Sequence, residues 1–165
     1  MKKKNLWKSS HDLPKSDRQE LVALLNQQLA EALDLGLQVK QAHWNVKGPA
    51  FITLHELFDE IADEISEFVD EIAERAVALG GIALGTVQTI ASTSTLKAYP
   101  LEILSGEDHL DALVAAFSRY ARSVRSAIDA AGKIGDAGTE DLFTGVSRKA
   151  DDLLWKIEAH LATKS

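Results

Sequence analysis

Residues 43–75 read HWNVKGPAFITLHELFDEIADEISEFVDEIAER, and the fold turns on them. From Phe51 on, Leu54, Leu57, Phe58, Ile61, Ile65, Phe68, Val69 and Ile72 recur at threes and fours. That period predicts one long helix, about Phe51 to Leu79, ending near Gly80-Gly81. At about 100° per residue, His55, Asp59, Asp70 and Glu74 fall within roughly a 100° arc of it. His55–Asp59 and Asp70–Glu74 are each i,i+4 pairs, so each can aim at one point. The midpoints of the pairs are roughly 22 Å apart along the helix. Metal–ligand bonds are only about 2 Å long, so one chain cannot bring both pairs to one ion. Either they are two weak half-sites, or a second copy packed antiparallel about a two-fold axis sets one pair against the other. The same operation then makes a second, reciprocal site.

Upstream, Ser16-x-x-Gln19 reads as a capping box. It opens a helix of about Asp17 to Val46, with Leu21, Leu25, Leu29, Ala32 and Leu33 on its apolar face and Gly48-Pro49 at its end. A short connection makes this helix and the next antiparallel. His43 then folds back beside His55 as a third ligand from the same chain. Downstream, residues 80–105 are less regular and long enough to return along the bundle as a crossover, with a short helix expected within Thr95 to Leu104. Ser105-x-x-Asp108 predicts the cap of a helix of about Glu107 to Ala131. Thr139 is expected to cap a last helix of about Glu140 to Leu161. Four long helices with one long crossover predict an all-α, ferritin-like four-helix bundle over residues 16–165.

The 165 residues fit one domain with a real core. No apolar run of about 18 residues is present, so no membrane span is expected. No apolar signal segment follows the first lysines, and the expected address is cytoplasmic. The absence of cysteine excludes disulfides, thiolate catalysis and cysteine–zinc sites. The net charge of −7 is unevenly spread. Residues 1–15 carry Lys2, Lys3, Lys4, Lys8 and Lys15 against Asp12, a net of +4, and the rest a net of −11. We read residues 1–15 as a flexible basic arm on an acidic body.

Imidazole with carboxylates suits Fe(II), Mn(II) or Zn(II) better than Cu(I). Any one i,i+4 pair alone reads more simply as solvated helix charge; five groups converging through one dimer operation do not. The usual di-iron motif of single ferritin-like bundles, Glu-x-x-His, occurs nowhere. That disfavours an ordinary intrachain ferritin centre and favours a site between subunits.

The pattern His43-x11-His55-x3-Asp59-x10-Asp70-x3-Glu74 resembles the ferroxidase motif of the Dps family, the DNA-binding proteins from starved cells. The resemblance extends to His43-Trp44-Asn45-Val46-x-Gly48-x-x-Phe51, Ala73-Glu74-Arg75, Ala78-Leu79-Gly80-Gly81, Asp141-Leu142-Phe143-Thr144, Ser147-Arg148 and Leu154-Trp155-x-Ile157-Glu158, covering about residues 16–162. It implies a hollow dodecamer that oxidises Fe(II), preferably with hydrogen peroxide, at dimer interfaces. Ferric mineral is then stored inside, which protects against oxidative damage. It further implies that His43, His55 and Asp59 come from one subunit and Asp70 and Glu74 from its mate, with Glu74 anchoring the tighter iron.

For other residues the plainer reading weighs at least as much. Trp44 follows a ligand position and is an interface aromatic or, by the resemblance, an interceptor of stray oxidant. Trp155 reads as a packing residue and Trp7 as part of the arm. Asp63 and Glu67 continue the acidic ridge and read as interface residues rather than ligands. His11, His109 and His160 join no ligand cluster. By the resemblance, acids near the start of the last helix (among Glu140, Asp141, Asp151 and Asp152) line three-fold pores that concentrate Fe(II); exposed capping acids are the alternative. Twelve lysine arms on one particle would add weak, non-specific DNA contacts that vanish with salt. The rival functions are therefore a nucleoid-condensing DNA-binding particle whose metal site is structural, and zinc or manganese storage without turnover.

Overall fold

The computed structural model describes residues 6–161. Five helices follow in order: α1 (Lys15–Asn45), α2 (Phe51–Ala78), α3 (Val87–Thr93), α4 (Gly106–Ile134) and α5 (Ala137–Ala159). α1 pairs with α2 and α4 with α5, and the two hairpins close on each other chiefly through α1 and α4. The chain is an all-α, ferritin-like four-helix bundle in which the α2–α4 crossover contains the short helix α3. Among the described residues the only strand-like pairing is a single bridge between Lys47 and Ser105. No helix among them is long and apolar enough to cross a membrane.

The core follows the apolar period of each helix. Leu21, Leu25, Leu29, Leu35 and Val39 of α1 meet Phe58, Ile61, Ile65 and Ile72 of α2, with Phe117, Tyr120 and Val124 of α4 and Phe143, Leu153 and Ile157 of α5. The turn between α1 and α2 needs Gly48, whose φ of 116° few other residues adopt. It sets the end of α1 beside the start of α2, and Lys47 N–H ties it to Leu104 O at 2.9 Å.

α1 buries more polar groups than its neighbours, including Asn26, Gln28, Glu31 and Gln38, because it is covered on two sides. One side faces the core; the other faces the crossover, whose irregular backbone needs hydrogen-bond partners. Asn26 donates to Ile82 O and accepts from Leu84 N–H. Gln27 donates to Thr93 O and Gln38 to Lys97 O. Thr95 and Ser94 hydroxyls donate to Glu31 and Asp34.

Local details depart from the sequence reading in three places. The short helix lies at Val87–Thr93, with Ile90 buried, and not within Thr95 to Leu104. The latter stretch contains Pro100 and is held in irregular form by α1 side chains. Thr139 does not cap α5: Asp136 holds the N-cap position, and Thr139 donates its hydroxyl to the Asp136 carboxylate. Ser16 does not open a capping box either; α1 starts at Lys15 after Pro14, and Ser16 bonds Asp17. The predicted Ser105 cap on Asp108 N–H is present.

Lys2, Lys3 and Lys4 of the basic arm lie outside the described residues. Residues 6–14 are non-helical and rest on the bundle. Trp7 N–H donates to Gly80 O at 2.8 Å, and Leu6 and Leu13 pack against the core. Arg18 braces the contact through Leu13 O and Leu79 O.

Candidate metal centre

The α1–α2 turn does what the sequence requires of it. His43, in the last turn of α1, stacks on His55, in the second turn of α2, with ring centroids 3.8 Å apart and 19° between planes. Each imidazole Nδ1 bonds the other residue's main-chain carbonyl, at 2.7 Å for His43 and 2.9 Å for His55. A carbonyl oxygen can only accept, so each Nδ1 carries the proton. In the neutral rings this fixes the tautomer and leaves both Nε2 lone pairs for a metal, the arrangement that orients ligand histidines.

Asp59 stands one helical turn beyond His55, and its Oδ1 lies 3.8 Å from His43 Nε2. Lys40 Nζ sits 2.5 Å from the same oxygen. The Lys40 hydrogen bond, aided by the two histidines and opposed by partial burial, holds the Asp59 carboxyl below the usual carboxylate range. Without metal, Lys40 thus neutralises Asp59. Sequence spacing passed Lys40 over because it is not a ligand type, yet it lies one turn before His43 on the same face of α1.

Asp70 and Glu74 are exposed on α2, one turn apart, with no hydrogen bond or ion pair among the described residues. The chain therefore brings His43, His55 and Asp59 together and leaves Asp70 and Glu74 far along the helix. Among the described residues no three histidine or acidic groups are arranged to hold a metal within one chain. The ridge between the pairs is acidic: Asp63 and Glu67 are exposed, and Glu64 is held by Lys149 and Lys156. Around the histidine pair, large apolar side chains lie open, with Trp44 65% exposed and Ile52 58% exposed beside Phe51 and Leu37.

Elsewhere, His109 is buried and bonds the Tyr99 hydroxyl at 2.7 Å, whereas His160 is exposed at the end of α5. His11 accepts from Leu13 N–H and lies beside Asp12. Asp151 and Asp152 are paired with Arg125 and Lys156, Asp141 is exposed and Glu140 is half-buried.

A four-helix bundle with one long crossover is a ferritin-like architecture. A family described as ferritin-like domain matches residues 22–164. The DNA protection during starvation protein of Agrobacterium fabrum is 47% identical over 158 residues, covering 96% of this chain and 98% of that protein. DpsC from Streptomyces coelicolor superposes with a TM-score of 0.93 at 28% identity, covering 98% of this chain and 94% of that one. The Dps protein of Vibrio cholerae, described as belonging to a broad superfamily of ferritin-like diiron-carboxylate proteins, gives a TM-score of 0.88 at 26% identity, covering 96% of this chain and 99% of that one. The chain belongs to the ferritin-like domain family and, within it, to the Dps proteins.

Proposed function

We propose that this protein is a ferroxidase and iron store working at intersubunit sites. In this reading His43, His55 and Asp59 of one subunit face Asp70 and Glu74 of a two-fold mate, and the five groups bind Fe(II) as substrate. Hydrogen peroxide is the preferred oxidant. Two Fe(II) ions each give up one electron, the O–O bond breaks, and the two oxygens leave as hydroxide or water. Because both electrons pass in one encounter, no hydroxyl radical is released. The ferric product mineralises inside a hollow dodecamer, protecting against oxidative damage.

The observation that carries the reading is the division of donors between the two ends of α2, with buried His43 of α1 and half-buried His55 and Asp59 at one end and exposed Asp70 and Glu74 at the other. One end has two imidazoles whose Nε2 atoms are left to donate by the reciprocal Nδ1 bonds. The other has two carboxylates with no partner among the described residues. Exposed Trp44, Phe51 and Ile52 beside the histidines favour cover by a second copy. The family and the diiron-carboxylate description of its Vibrio relative support iron as the metal.

The test is anaerobic Fe(II) loading followed by hydrogen peroxide or oxygen, with ferric absorbance recorded for wild type and Asp70→Ala. The reading expects fast oxidation by peroxide, slower oxidation by oxygen, and loss of the fast phase in the variant. Equal, slow oxidation in both proteins would contradict it.

The second reading, a DNA-condensing particle with a structural metal site, is favoured by the net charge of +4 on residues 1–15 and by the name of the Agrobacterium relative. It expects DNA retardation that survives Asp70→Ala and is lost on deleting residues 1–10 or on raising salt.

A further inference from the structure

A cavity of about 560 Å³ lies between the crossover and α4, with Gln38 of α1 on its wall. Its size falls within the range of about 300–1,000 Å³ typical of small-molecule sites. The sequence explains why it is open. Ala112, Ala115 and Ala116 line it from one face of α4, so methyl groups stand where larger side chains would close the gap to the crossover. The far wall is pre-formed. Tyr99 is pinned by its hydroxyl to buried His109, and Gln38 holds the carbonyl of Lys97 at 3.1 Å.

Three cations share this cavity: Lys97, Arg119 and Arg122. Among the described residues none of them has a carboxylate within 4.0 Å. Among the described residues Arg119 bonds the Thr95 hydroxyl alone, at a long 3.3 Å. Among the described residues Lys40, Arg75, Arg125, Lys149 and Lys156 are ion-paired, whereas Lys47, Lys133 and Arg148, spread elsewhere on the surface, are not; what distinguishes Lys97, Arg119 and Arg122 is that they line one hollow. Glu31 and Asp34 stand behind the wall, held by Thr95 and Gln38, so the cations and not the carboxylates line the hollow on a chain whose net charge is −7.

We infer that this cavity is a binding site for a small organic anion with a carboxylate or phosphate head on an apolar body. Arg119 and Arg122 supply planar, multidentate donors for the head, and Lys97 adds a point charge. The alanine face and the Tyr99 ring take the body. The site lies outside the metal centre and does not depend on its chemistry.

The test is calorimetric titration of the assembled, full-length protein with octanoate and with octyl phosphate, which share a body and differ in the head. At least one should bind saturably at about one per chain, and the two affinities identify the head. Arg119→Gln/Arg122→Gln should weaken binding at least tenfold. Ala115→Leu, which fills the hollow without altering charge, should do the same. Arg125→Gln, one turn further along α4 and paired with Asp151 outside the cavity, should bind as wild type does. Failure of both anions to bind, or unchanged affinity in both the arginine double variant and Ala115→Leu, would overturn the assignment. Octanol binding as tightly as octanoate, or inorganic phosphate as tightly as octyl phosphate, would overturn it too. Displacement of either anion by duplex DNA would move the cations to a nucleic-acid surface and also overturn it.

Discussion

His43 and His55 hold each other by two ring-to-carbonyl bonds, so neither is a free surface histidine. Replacing one should damage the other's orientation as well as remove a ligand. His55→Ala is therefore expected to weaken Fe(II) binding by about tenfold or more, as measured by anaerobic titration, with helix content unchanged. Lys40 presents the opposite case. Its ammonium satisfies Asp59 in the absence of metal, and a cation arriving there must displace it. Lys40→Gln should tighten Fe(II) binding at the histidine half-site in the same titration; weaker binding would show that Lys40 assists the metal. The pairing of His43 with His55 was legible in the sequence because the turn at Gly48-Pro49 folds the end of α1 back on α2. The two carbonyl partners and the Lys40 contact were not legible, since main-chain acceptors and cross-helix ion pairs leave no spacing signal.

At the scale of elements, two contacts pin the irregular parts of the fold. The α4–α5 turn is fixed by Arg75, whose guanidinium bonds both oxygens of buried Asp136 at 2.8 Å while Thr139 donates to the same carboxylate. Burial alone would raise the Asp136 pKa; the Thr139 and Arg75 bonds outweigh it and lower the value. The stability this confers is present above the unfolded carboxylate pKa of about 4 and is lost as pH falls through the lower folded value. Asp136→Ala should cost about 2–3 kcal/mol at neutral pH, by denaturant titration, with the difference from wild type shrinking in strong acid.

The crossover is pinned by His109. Burial lowers its pKa, against weaker opposing effects of the Asn45 carbonyl and Asp108. The unfolded chain therefore takes up this proton first. Stability is full above about pH 6.5 and falls as pH drops below it toward the folded value. Protection of the amides of residues 95–105 against hydrogen exchange, relative to their intrinsic rates, should fall as pH drops below about 6.5, and His109→Asn should blunt that pH dependence. The long helices were legible from period alone. The short helix and the α5 cap were not, because α1 side chains and Arg75, remote in sequence, decide what those segments do.

At the scale of the whole molecule, the proposed site depends on assembly. The face bearing the histidines leaves Trp44, Phe51 and Ile52 open and sets the two groups of donors roughly 22 Å apart. A two-fold partner resolves both features with one operation. The bundle was legible in the sequence; the second copy is what the proposed five-ligand site requires, since helix rise alone keeps the two pairs of donors apart in one chain. What was not legible is how the arm lies: Trp7 bonds Gly80 through its main chain, which no side-chain pattern reports.

The most direct test mixes two variants that should each lack the fast peroxide-driven phase. His55→Ala and Glu74→Ala subunits, dissociated together and reassembled in equal amounts, would form mixed dimers carrying one site with both defects and one with none. Peroxide-driven Fe(II) oxidation should return to about a quarter of the wild-type rate, because about half of the dimers are mixed and each has one intact site of two. If the mixture stays as inactive as either parent while mixed dimers are shown to form, the ligands do not come from two subunits, and the central claim fails.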